Sequence, residues 1–385
     1  MKNLYINFII VLITSLIFYL ILFTYTYFDF TNQFKERFDD QKSLNIHQKY
    51  SKIVHHIREE AHLENFFKET TPQDLVFTYL NESNKKIKVL LQGDSWFEQI
   101  NGKGGVENYY SFKLFQDFGK NHNTSFINAG TSSYSPSLMN IQLDILEKDF
   151  NIYPEIVIAF IDQINIGDEV CRYKNNRIYK NKKLIRVDPE KEFNGLGWYN
   201  YSKVYELSNI YYSDVSKFYK IFKLINFKFY SRLRSLKNKI HNKSLNLIHG
   251  KIEQRKKCYW AEIEKNLINP KKEDVDYFTN ILEEYVEKIK EKKHIQKLIL
   301  VTFPYKAHFY TKEKKIYDLN MSDLVSDITD EHVAVEHVNF SKILINNKKF
   351  DFENVWSSDG IHLNSYNHTN VFIQNILKEL KIHIE

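Results

Sequence analysis

Short apolar runs alternate with longer amphipathic stretches through most of this chain. The runs are Ile87–Gln92, Thr124–Ala129, Glu155–Ile161 and Lys297–Phe303. Each is too short for an ordinary helix and is followed by a loop, so each reads as a strand buried on both faces. The intervening stretches, among them Asn108–Phe118 and Ser137–Phe150, have helical spacing. In Asp274–Lys293 the side chains of Tyr277, Phe278, Ile281, Leu282, Tyr285, Val286 and Ile289 fall on one face. Tyr366–Leu380 supplies a last amphipathic helix. Strands alternating with helices predict an α/β fold, a three-layer α/β/α sandwich with a mostly parallel sheet. Ligands bind such sheets beyond the carboxyl ends of the strands.

A different pattern occupies the N-terminus. Leu4–Phe28 is an almost continuous apolar run, and a helix of that length spans roughly 37 Å at about 1.5 Å per residue, enough to cross a bilayer. A cleaved signal peptide has a shorter apolar region followed by small residues, whereas this run ends in Thr24-Tyr25-Thr26-Tyr27-Phe28. Residues 1–28 therefore read as an uncleaved transmembrane anchor. Lys2 and the free amino terminus favour a cytoplasmic N-terminus and an extracytoplasmic body, a preference that Lys35, Arg37 and Lys42 oppose. Residues 29–84, polar and charged with helical spacing around Ile53–Phe67, read as a stalk and lead-in segment. The main globular domain is expected over 85–385.

Composition adds one local feature. Between the third and fourth runs lie about 130 residues, far more than a crossover helix needs, so a helical insertion is expected at about 170–270. From Lys217 to Lys257 there are thirteen Lys or Arg against one acid, Glu253, a local charge of +12. The whole chain carries +6, so everything else sums to −6. Phe218, Tyr219, Phe222, Phe227, Phe229 and Tyr230 interleave with these cations. Residues 217–257 thus read either as a basic amphipathic helix on an anionic membrane or as a solvated helical face with its aromatics turned inward. No nucleic-acid motif accompanies the charge, and nucleic acid is not expected as a partner. Cys171 and Cys258 are the two cysteines, enough for one bridge and too few for a disulfide framework.

The candidate chemistry sits at two distant points. Gly93-Asp94-Ser95-Trp96 follows the first run directly, and Ser358-Asp359-Gly360-Ile361-His362-Leu363-Asn364 precedes the last helix. A serine at a strand tip, with an Asp-x-x-His to supply a base and the group that orients it, is what nucleophilic acyl transfer requires. In this reading Ser95 is the nucleophile, His362 the general base and Asp359 its orienting partner. His308, after the fourth run, is placed at a pocket rim or on a surface loop. His332 with His337, and His362 with His368, lack the partners and spacing of a metal site. No metal and no organic cofactor is expected, and no glycine-rich phosphate loop occurs.

These motifs resemble those of the SGNH, or GDSL-like, hydrolase superfamily, over roughly residues 86–170 and 295–382. The resemblance implies a flavodoxin-like sheet and an ester hydrolase working through an acyl-Ser95 intermediate. Trp96 stands where many relatives have leucine. Asn128-Ala129-Gly130-Thr131 matches the glycine block, which implies that the Gly130 and Ser95 amides face the developing oxyanion. The third block departs from the pattern: the family has Gly-x-Asn-Asp, and this chain reads Ile161-Asp162-Gln163-Ile164-Asn165. Either Gln163 or Asn165 can supply the side-chain donor, with Gln163 favoured because it lies nearer the strand end. Anchoring and family habit together imply an O-acyl group on an extracytoplasmic glycan as substrate. The alternatives are an O-acetyltransferase on a cell-surface glycan, a lipase or thioesterase, and a binding or assembly protein of the same fold with weak catalysis.

Overall fold

In a computed structural model of the chain, the described residues are 2–35, 76–98, 100, 106–131, 133–187, 219, 270–304, 321–331, 334–346, 355–356, 362–363 and 366–385. The chain divides into two units, and the one carrying the sheet comprises Lys49–Glu59, Gln73–Lys191 and Cys258–Glu385. Helix α1 (Lys2–Lys35) belongs to the other unit. Its Tyr5–Tyr25 portion is long and apolar enough to cross a membrane, and none of it is buried. The basic segment 217–257 and the stretch around Ile53–Phe67 lie outside the described residues, apart from Tyr219.

The sheet is built as the alternating pattern predicts. Strands β2 (Ile87–Gln92), β3 (Thr124–Asn128), β4 (Ile156–Phe160), β7 (Lys297–Thr302) and β8 (Val335–Asn339) pair in parallel in the order β3-β2-β4-β7-β8. Numbered along the chain these five strands run 2-1-3-4-5, the flavodoxin-like order. A two-residue strand β1 (Thr78–Tyr79) adds antiparallel to β3 at the edge. Neither β1 nor β8 is announced by an apolar run. Strand β1 falls in the segment read as a stalk, and Val76, Phe77 and Leu80 around it are buried. Strand β8 lies on the opposite edge and alternates Val335, Glu336, His337, Val338, Asn339. Glu336 pairs with Lys297 at 2.6 Å, while His337 bonds Thr302 at 2.8 Å and Ser326 at 3.1 Å. Burial holds the His337 imidazole down at about 4, and nearby Lys342 adds to the effect.

Helices cover both faces. Val89, Leu91, Phe126, Ile158, Phe160, Ile299 and Val301 point to one face and share a core with Phe115 of α3 (Val106–His122). Phe340 and Leu344 of α8 (Phe340–Asn346), with Phe372, Ile373, Ile376 and Leu380 of α9 (Tyr366–Ile384), complete it, and α7 (Met321–Glu331) leads into β8. Successive strand residues alternate sides, so Leu90, Gln92, Val157 and Leu300 face the other layer. That layer is formed by α4 (Pro136–Phe150) and α6 (Lys272–Glu291), which pack together. Tyr285 of α6 donates to Gln92 Oε1 at 2.7 Å, and Gln92 Nε2 donates to Gln142 of α4, also at 2.7 Å, so the buried amide is satisfied from both helices. Early in the stretch where a helical insertion is expected, residues 177–187 form a hairpin, β5 (Arg177–Lys180) and β6 (Lys183–Val187). Arg177 of the hairpin bonds Glu284 of α6 at 2.7 Å.

The α4–α6 contact carries a testable charge cluster. Asp144 lies 2.9 Å from both Lys288 and Lys292. Burial would raise its carboxyl, but the two ammonium groups outweigh burial and hold it at about 2. A depressed carboxylate stabilises the fold above its ordinary titration range, and that contribution is lost as pH falls from about 4 through 2. Asp144→Asn is therefore expected to lower unfolding free energy by about 2 kcal/mol at pH 7 and by nearly nothing at pH 2. Denaturant melts at the two pH values check this.

Candidate active site

Four chain segments meet beyond the carboxyl ends of β2, β3 and β4. The first is the turn out of β2. Gly93 has φ of +145°, and a Cβ there would lie 2.8 Å from Phe160 Cβ at the end of β4. Only glycine accepts both conditions. The chain then enters α2 (Ser95–Glu98), a single helical turn. Asp94 caps it: Oδ1 accepts the Trp96 N–H at 3.0 Å, and its carbonyl accepts the Phe97 and Glu98 amides. Ser95 thus occupies the first helical position, where a backbone N–H has no partner within the helix.

The segment after β3 braces this turn. Asn128 Nδ2, wholly buried, donates to the Phe97 and Ile100 carbonyls at 2.6 and 2.5 Å. Thr131 N–H donates to the Gly93 carbonyl at 2.9 Å. At Gly130 a Cβ would stand 2.5 Å from Phe97 Cβ and 2.7 Å from Glu98 N, so the two backbones touch there. The Gly130 N–H donates to Asn128 Oδ1 at 3.0 Å.

From the C-terminal end comes His362. Its Nε2 lies 2.7 Å from Ser95 Oγ, a hydrogen bond between residues 267 apart in sequence. Both residues are partly exposed. Leu363 bridges Trp356, and Trp356 Nε1 donates to the Pro304 carbonyl at 3.2 Å, which moors the histidine to the end of β7. Trp96 packs beside the pair, its ring 6.1 Å from the imidazole and stacked on Phe160 at 4.8 Å. Asp359 and His308 lie outside the described residues, as does His332.

Behind the site, the third block starts α5 (Ile164–Asp168), which runs on into a π-helical turn at Glu169–Tyr173. Gln163 and Asn165 are both buried. Asn165 is engaged at both ends of its amide: Oδ1 accepts from the Asp162 N–H at 3.0 Å and Nδ2 donates to the Tyr134 carbonyl at 3.2 Å. Gln163 stands at the N-terminus of α5, its carbonyl accepting from the Ile166 N–H.

Several acids are buried here, and sequence reading assigned them nothing. Burial raises Asp94 well above the usual carboxylate range, and Asp162 and Asp168 push in the same direction. Asp168 is raised to about 7 by burial despite Arg172 at 3.1 Å. Glu169 receives Ser135 Oγ, Ser137 N–H and Ser137 Oγ, anchoring the start of α4. The signal for Asp94 was its place before Ser95 in a capping position; nothing local marks Asp162. Cys171, in the π-helical turn, is disulfide-bonded. The sequence contains one other cysteine, Cys258, which lies outside the described residues.

No protein-family model matches the sequence, and no curated protein does. Among solved structures the chain is similar to Axe2, an acetylxylan esterase from Geobacillus stearothermophilus, at 13% identity and a TM-score of 0.39, over 77% of this chain and 94% of that one. It is also similar to a lipase/acylhydrolase from Enterococcus faecalis, at 12% identity and a TM-score of 0.36, over 77% of this chain and 96% of that one.

Proposed function

We propose that the protein is a membrane-anchored serine esterase of the SGNH type, removing O-acetyl groups from an extracytoplasmic glycan. The observation that carries the esterase reading is the 2.7 Å hydrogen bond between Ser95 Oγ and His362 Nε2. With the imidazole proton on Nδ1, Nε2 accepts the serine hydroxyl proton as Oγ attacks the ester carbonyl carbon. His362 then returns that proton to the departing alkoxide, leaving acyl-Ser95, which water cleaves by the same steps in reverse order. Asp359 is the proposed partner of Nδ1, holding the tautomer and stabilising the imidazolium. The proposed oxyanion donors are the Ser95 N–H and the Gln163 side chain. Gln163 is preferred because it lies nearer the end of β4. Gly130 N–H joins them through a bifurcated bond, since it also serves Asn128.

The extracytoplasmic placement rests on α1 as a membrane span and on the bonded state of Cys171, which suits an oxidising compartment. The glycan follows from that placement and from the SGNH resemblance. A sugar hydroxyl in place of water would make the same intermediate an O-acetyltransferase. One experiment separates the readings: the purified full chain is given an activated acetyl ester with and without an oligosaccharide acceptor. Free acetate in excess of acetylated oligosaccharide supports the hydrolase; transfer product in excess overturns it in favour of the transferase.

A further inference from the structure

We propose that Trp96 is a positioning residue for the proposed general base, an indole wall that sets the plane of the His362 imidazole against Ser95. This rests on the reading of Ser95 and His362 as nucleophile and base. The two side chains that meet the imidazole are consecutive in α2: Ser95 Oγ lies 2.7 Å from Nε2, and the Trp96 ring centre lies 6.1 Å from that of the imidazole, the planes tilted by 42°. One hydrogen bond fixes a distance but lets the ring turn about it. A second, apolar neighbour on the same helical turn restricts that rotation, and proton transfer from Oγ needs the Nε2 lone pair aimed along the bond.

The wall is itself held from three sides. Trp96 stacks on Phe160, the last residue of β4, at 4.8 Å and 25°. Phe303, directly after β7, lies 4.8 Å away, and Phe372 of α9 lies 5.3 Å away. Phe372 also meets Phe160 and Phe303, at 6.0 and 5.9 Å, so rings from four parts of the chain close on one another. All four belong to the core packed on this face of the sheet. The main chain of Trp96 is pinned as well, its N–H held by Asp94 Oδ1 at 3.0 Å. Close-packed interiors resist displacement, so the indole offers the imidazole a surface fixed by the ends of the strands.

The residue type carries a cost that points the same way. Trp96 is 7% exposed, and its Nε1 is buried with no hydrogen-bond partner among the described residues. Buried indole N–H groups usually find a partner, and one without costs stability. A phenylalanine would pack here without that cost. Departures of this kind from the rules of core packing gather at functional sites. What the indole adds over a phenyl ring is breadth, which lets one side chain meet three phenylalanines and the imidazole.

The test uses the full chain in detergent and reads kcat and KM for an activated acetyl ester together with the melting temperature. Trp96→Leu is expected to lower kcat about tenfold with KM within about twofold of wild type, since it loosens the base without touching substrate. Trp96→Phe, which keeps an aromatic wall, should recover kcat to within about threefold. Phe340→Leu is the control: Phe340 sits in the same core against Phe303 and Phe372, at 5.3 and 4.8 Å. It should melt lower yet keep kcat within about twofold. If Trp96→Leu does not fold, Trp96→Met takes its place with the same expectation. Unchanged kcat in Trp96→Leu, no recovery in Trp96→Phe, or an equal loss in Phe340→Leu would overturn the positioning role. A rise of KM by about tenfold in Trp96→Phe at unchanged kcat would overturn it too, making the indole N–H a substrate contact. Wild-type chain that neither hydrolyses ester nor reacts with a fluorophosphonate would instead overturn the nucleophile itself, and the positioning role with it.

Discussion

Ser95→Ala is expected to abolish labelling by a fluorophosphonate probe and to lower the rate of ester hydrolysis by about 10⁴-fold or more, with no loss of thermal stability. The magnitude follows from removing the nucleophile from a unit whose members act together. His362 cannot substitute for it, because the histidine is moored through Leu363 and Trp356 to the end of β7. The side chain lost is small and partly exposed, so packing barely changes. Labelling that persists in the variant would mean that another serine reacts, and a rate within tenfold of wild type would remove Ser95 from the mechanism.

Gly130→Ala should produce the second-largest effect, through backbone geometry. The added methyl would arrive 2.5 Å from Phe97 Cβ, 2.7 Å from Glu98 N and 2.8 Å from Phe97 C. Two of these are main-chain atoms of α2, so relief requires α2 itself to shift, and α2 carries Ser95 at its first position. Overpacking of this kind costs about 1–3 kcal/mol. A displacement near 1 Å at a reacting group costs about 10²-fold in rate. The expected variant is folded, melts several degrees lower and labels with fluorophosphonate about a hundredfold more slowly. Calorimetry and labelling kinetics together check this; unchanged labelling would show that the turn accommodates the methyl without moving Ser95.

The elements legible in the sequence are those whose side chains face the protein interior on both sides. Strands β2, β3, β4 and β7 lie inside the sheet, so each has an unbroken apolar centre (Val89–Leu91, Phe126–Ile127, Ile156–Phe160 and Leu298–Val301), and the observed bounds differ from the runs read in the sequence by one residue at most. Strand β8 escaped because it is an edge strand whose Glu336 and His337 answer to Lys297, Thr302 and Ser326, partners distant in sequence. The hairpin at Arg177–Val187 escaped for a related reason: its charges are satisfied across space by Glu284 and Glu291 of α6.

The same division holds at the site. Ser95 and His362 could be read locally, since each sits in a short motif beside a recognisable element. The surroundings of Asn165 could not, because the Tyr134 carbonyl and the Asp162 amide that engage its side chain are brought to it by the fold. Asn128 illustrates the point further. In sequence it is a polar residue before a glycine, and in the fold it is the clamp on two carbonyls of the nucleophile segment.

The separation of 267 residues between Ser95 and His362 has a consequence for biosynthesis. The Ser95 turn leaves the ribosome early, while the His362 imidazole that bonds it emerges only with the final stretch of polypeptide, just ahead of α9. Until α9 has docked its Phe372, Ile373 and Ile376 into the core, Ser95 lacks its hydrogen bond to His362. On the proposed mechanism a nascent chain would carry no hydrolytic activity, and ester cleavage would begin only after synthesis of the C-terminal end is complete.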